Sequence, residues 1–109
     1  MKLKFNYKKK NINLDVKVCE SILSQASGLM FRKRSPALLF VFKSKKRRII
    51  HSFFCVPFVA IWFDNNNIVD AKIIKKWRLN IKPKGKFDRL LEIPINNKAF
   101  FLFTDEEKV

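Results

Sequence analysis

Glycine is almost missing from this chain of 109 residues, with Gly28 and Gly85 its only two. A phosphate-cradling loop needs several glycines at close spacing, so P-loop nucleotide hydrolysis is excluded. Histidine occurs once, at His51, and cysteine twice, at Cys19 and Cys55. Without close pairs of these residues there is no recognisable zinc site, and neither metal nor cofactor is expected. A chain of this size with a full apolar complement does not need stapling, so the two cysteines read as reduced thiols in a reducing compartment. His51 and Cys55 share a strand face at an offset of four, roughly 13 Å along a straight strand, which disfavours a Cys–His dyad. No catalytic residue is assigned.

Long apolar runs are also lacking. The longest, Phe53 to Phe63, contains Pro57 and falls short of the roughly 20 residues a membrane-crossing helix requires. Met1-Lys2-Leu3-Lys4-Phe5-Asn6 has lysine or asparagine at every second position, unlike the apolar centre of an export signal. These features lead us to expect a cytoplasmic protein with no membrane partner. Acidic residues are scarce as well, at 9 against 24 Lys and Arg, for a net charge of +15. Clustered cations gain affinity for nucleic acid or another polyanion by displacing counterions. Codon composition is the competing account, because lysine, isoleucine, asparagine and phenylalanine are all specified by A- and T-rich codons.

What is present is phenylalanine, 12 residues of it, in a chain that is 48% hydrophobic. That suits one folded domain spanning 1–109, able to bury roughly two thirds of its unfolded surface. Leu3, Phe5 and Tyr7 alternate with polar residues, and so do Ile12, Leu14, Val16 and Val18 beyond Lys8-Lys9-Lys10, which predicts a hairpin with a basic tip. From Cys19 to Ser27 the period changes to that of one short helix, closed by Gly28. Leu38 to Phe42 is expected as a strand covered on both faces, Lys43 to Arg48 as a basic loop, and Ile49 to Val56 as a returning strand that ends at Pro57. Phe58 to Phe63 and Ile68 to Ile74 should pair across the turn Asp64-Asn65-Asn66-Asn67, with Asp64 and Asp70 as ordinary turn and edge residues. Phe87 to Ile93 and Ala99 to Phe103 complete the strands, and 104–109 reads as a solvated tail. The whole is mainly β, an antiparallel sandwich or partly closed barrel with one short helix.

Three blocks stand out: Gly28-Leu29-Met30-Phe31-Arg32, then Ile50-His51-Ser52-Phe53-Phe54-Cys55, then Leu90-Leu91-Glu92-Ile93-Pro94. In this order they resemble the prokaryotic family catalogued as domain of unknown function number one hundred and ninety-two. The resemblance implies the same mainly β architecture and no known reaction. Relatives often carry an acidic residue after the proline of the apolar strand, where this chain has Phe58, Val59 and Ala60. Arg32 either pairs internally, with Glu92 as its partner, or offers its guanidinium to an anionic ligand. His51 either bonds a backbone carbonyl or joins Arg32 and Glu92 in lining a polar pocket.

The cations gather in bends: Lys8 to Lys10; Lys45, Lys46, Arg47 and Arg48; and Lys75, Lys76, Trp77 and Arg78 leading to Lys82, Lys84 and Lys86. Trp77 among cations can stack a base while lysines hold phosphate. The alternative places Trp77 in the core, with the lysines shielding strand edges and keeping the chain soluble. A non-catalytic binding module with a basic surface is the functional expectation; an enzyme or small-ligand receptor with a pocket near Arg32 is the other.

Overall fold

The computed structural model describes residues 1–19, 36–46, 57–75 and 81–103. Within them the chain forms six strands: β1 (Lys2–Tyr7), β2 (Lys10–Cys19), β3 (Ala37–Lys46), β4 (Phe58–Asp64), β5 (Asn67–Ile74) and β6 (Phe87–Pro94). They form one sheet in the order β1-β2-β3-β6-β4-β5. The sheet is mixed, because β2 and β3 run parallel while every other pairing is antiparallel. β6, late in the chain, lies between β3 and β4 and joins the two halves.

The sheet is curled into a half-barrel. If flat, β1 and β4 would lie four strand spacings apart, roughly 19 Å. Instead the rings of Phe5 and Phe63 meet edge to face with centroids 5.3 Å apart. Phe103 stacks on Phe5 at 6.0 Å and meets Tyr7 at 4.9 Å, filling the concavity from above.

Alternation along the strands produces two apolar faces. The inner one gathers Leu3, Ile12, Leu14 and Val16 with Leu39, Val59, Ile61, Leu91 and Ile93. The outer one gathers Cys19, Leu38, Phe40, Phe58, Ala60, Trp62, Phe87 and Leu90. Strands β3, β4 and β6 contribute to both faces, which is why Leu38–Phe40 and Phe58–Phe63 read as unbroken apolar runs and Leu90–Ile93 as one interrupted only by Glu92.

Both hairpin tips depend on left-handed backbone. Lys8 and Lys9 have φ of 49° and 68°, the positive pair a two-residue primed turn demands, yet neither is the glycine or asparagine that adopts it readily. At the other tip Asn65, with φ 57°, is a residue suited to the task.

Two expectations are corrected. The segment Ala99 to Phe103 is not a strand: Lys98–Leu102 forms a 3-10 turn, opened by the Asn97 side chain, which accepts from the backbone N–H of Ala99. Phe100 and Phe103, three apart, are buried while Phe101 is 63% exposed, so the apolar run serves a three-residue period. Lys43 to Lys46 belong to β3 and not to a basic loop. The short helix expected from Cys19 to Ser27 and the strand expected over Ile49 to Val56 fall outside the described residues, apart from Cys19, which ends β2. Among the described residues no helix is long and apolar enough to cross a membrane.

Candidate functional site

A cationic surface forms where residues 81–86 return beside β5. Lys72, Lys75, Lys82, Lys84 and Lys86 are all exposed there. Backbone bonds fix the segment in place. The N–H of Lys84 donates to Oδ2 of Asp70 at 3.0 Å, and Nζ of Lys72 donates to the carbonyl of Lys82 at 2.6 Å. Gly85 lies against β5: a Cβ added to it would sit 3.4 Å from Cγ1 of Val69. Asp70, expected as an ordinary edge residue, is instead buried at 8% exposure. Its other oxygen accepts from the N–H of Ala71 at 2.9 Å, so this carboxylate serves as a clamp on the backbone. Lys72 lies 3.9 Å from it, a weak contact for a half-exposed ammonium.

The other polar feature lies in the outer apolar face. Glu92 sits on β6 directly between Leu38 of β3 and Ala60 of β4, and is 7% exposed. Burial among these apolar neighbours pushes its carboxyl up to about 8, so it holds its proton at neutral pH. Trp62 is paired with Leu90 and is therefore a diagonal neighbour of Glu92 across the β4–β6 ladder. Its buried Nε1 donor has no acceptor among the described residues. Two buried polar groups on one apolar face each carry a desolvation cost that packing alone does not offset.

Of the pocket residues expected from the sequence, Glu92 is described and Arg32 and His51 lie outside the described residues. Of the cationic ones, Lys75, Lys82, Lys84 and Lys86 converge beside β5, while Lys45 and Lys46 lie in β3, whose last strand partner is Phe87. Arg47, Arg48, Lys76, Trp77 and Arg78 fall outside the described residues, as does Cys55. Among the described residues no group of His, Cys, Asp or Glu is placed to hold a metal ion. Lys72 and Asp70 were missed at the level of sequence. Their signal was a charged pair at an offset of two, facing a lysine-rich bend fourteen residues away.

Comparison with known proteins agrees with the fold. The chain is 33% identical over 84 residues to UPF0127 protein PH1112 of Pyrococcus horikoshii, covering 73% of this chain and 72% of that one. It is 31% identical over 91 residues to UPF0127 protein PF1050 of Pyrococcus furiosus, covering 80% and 78%. Among solved structures it resembles a candidate transcription regulator from Sinorhizobium meliloti, with a TM-score of 0.72, 14% identity, and coverage of 84% of this chain and 76% of the other. A protein of unknown function from Novosphingobium aromaticivorans matches with a TM-score of 0.69, 16% identity, and coverage of 85% and 71%. At such identities these two likenesses speak for the half-barrel fold alone. The model of the DUF192 family, described as an uncharacterized ACR, matches residues 4–99, and the chain belongs to that family.

Proposed function

We propose that the protein is a small non-catalytic binding module whose cationic surface beside β5 meets a polyanion, nucleic acid foremost. The observation that carries this reading is the clamp: Asp70 fixes the backbone of a lysine-bearing segment and, being buried, takes little charge from its surface. A bend that only shielded an edge would need lysines but no such fixation. Pre-ordering the backbone lowers the entropy lost when several lysines engage phosphates together. Fluorescence anisotropy with single-stranded and duplex probes across a salt series tests the reading. The variant Lys82→Glu/Lys84→Glu/Lys86→Glu keeps the tethers, which use only backbone atoms of Lys82 and Lys84. Affinity should fall steeply with salt and be lost in the variant. Equal affinity for the variant, or no binding by the parent, sinks the proposal.

Glu92 favours a second reading, a polar pocket on the outer face that also involves Arg32 and His51. A protonated carboxyl and an orphan indole donor on one face are the groups from which a polar ligand could take hydrogen bonds. Substituting Arg32 and His51 one at a time, and following the titration of Glu92 by carbon-detected NMR, separates the two readings. If neither change moves the Glu92 pKa, the pocket has no basis.

A further inference from the structure

We infer that the cleft between the outer strands of the half-barrel is a binding site for a small organic anion with a flat apolar body, the class of aromatic carboxylates. The curl that brings Phe5 to Phe63 does not close the barrel. Between β1 on one side and the β4–β5 turn on the other it leaves a cleft of about 570 Å³, a size typical of small-molecule sites. The edge-to-face pair Phe5 and Phe63 lies within it, together with Leu3 and Ile68.

The polar part of the described lining has one sign. Among the described residues Arg89 and Lys4 are its charged members, accompanied by asparagines, and no carboxylate takes part. Arg89 is held in place: its guanidinium lies 5.5 Å from the Phe63 ring centroid, and Nη2 donates to the carbonyl of Asn65 and to Oδ1 of Asn66. Among the described residues Nε and Nη1 have no acceptor. Among the described residues no ion pair joins it to the neighbouring Asp88, whose carboxylate accepts from the backbone N–H of Asn65 at 3.2 Å. A guanidinium already fixed by stacking and by two bonds loses little freedom on meeting an anion. A flat apolar body can rest against the half-buried Phe5 and Ile68, contacts that a bare inorganic anion would leave unused. The cleft shares no residue with the lysine surface beside β5, so the inference stands apart from the proposed polyanion binding.

The alternative is that Arg89 only pins the β4–β5 turn and the cleft is a gap left by incomplete closure. Nitrogen-15 NMR titration of the whole chain with 1-naphthoate decides between them, with neutral 1-naphthalenemethanol and with acetate as controls at fixed ionic strength. Saturable shifts at Phe5 and at residues 66–68 are expected for the naphthoate, about tenfold weaker binding for the alcohol, and none for acetate. Arg89→Met should weaken naphthoate at least about tenfold while Lys82→Glu/Lys84→Glu/Lys86→Glu leaves it unchanged. Should Arg89→Met disturb the spectrum globally, Lys4→Met decides, with a loss of about threefold in support and unchanged affinity against. Acid and alcohol binding equally, or shifts confined to residues 81–86, would overturn the inference.

Discussion

The two faces of the curled sheet are built from the same strands and differ in what they bury. The inner face buries apolar side chains, with Phe5, Phe63 and Phe103 interlocked across the concavity. The outer face, equally apolar in its majority, also buries the carboxyls of Glu92 and Asp70 and the unmatched indole donor of Trp62. Folding asks for the first arrangement and is burdened by the second, since each unpaired polar group taken from water opposes the burial around it. Asp70 repays its burial by holding a segment of backbone, and Glu92 has no such return among the described residues. The contrast teaches that the inner face keeps its polar groups at the rim of the cleft, whereas the outer face takes polar groups into its apolar interior.

The largest expected effect is on the inner side. Phe63→Ala should cost about 3–5 kcal/mol in urea unfolding, because the lost ring sits between Phe5 and Arg89. A loss under about 1 kcal/mol would break the claim that this face is the closed core. On the outer side, the raised Glu92 carboxyl makes the native state the better proton binder between its ordinary value of 4.5 and about 8. Stability from this group is therefore fully present below that window and falls as pH rises through it, by about 1.4 kcal/mol per pH unit. Glu92→Gln should flatten that slope and leave the protein more stable than the parent at pH 8, as read from chemical melts at pH 5, 6.5 and 8; an unchanged slope removes Glu92 from its cause.

Asp70→Ala should cost about 1–3 kcal/mol, and the amide of Lys84, its partner at 3.0 Å, should exchange faster with deuterium. Exchange unchanged at residues 81–86 would show that the clamp does not order the cationic segment. The smallest effect concerns the strained lysine tip at Lys8 and Lys9. Lys8→Asn/Lys9→Gly should raise stability by about 1 kcal/mol by relieving left-handed backbone strain. If the same variant also weakened nucleic-acid binding, that tip would join the cationic surface.

Much of this was legible along the chain. Ile12, Leu14 and Val16 alternate in sequence and are buried in the same alternation, and the asparagine turn returns β4 onto β5 as its residues require. What escaped was non-local. Side-chain pattern states which face a strand buries but not which strand lies beside it, so the parallel pairing of Val16–Cys19 with Ala37–Phe40 carried no local signal. Asp70 looked like an edge residue because its partner is the N–H of Lys84, and backbone donors leave no trace in composition. Arg89 drew no attention because its place at the cleft depends on the curl that brings β1 across to β4. The Ala99–Phe103 run was misread because a short apolar stretch is ambiguous between a two-residue and a three-residue period.

The position of β6 carries a consequence for biosynthesis. Until residues 87–94 have emerged from the ribosome, β1, β2 and β3 on one side and β4 and β5 on the other have no described strand to bridge them. During that interval β3 and β4 each offer an open, phenylalanine-bearing ribbon edge, the kind of surface on which nascent chains stick to one another. Synthesis of the bridging strand is thus the event that ends this exposure, and conditions that stall translation just before it should send this protein to chaperones or to aggregates.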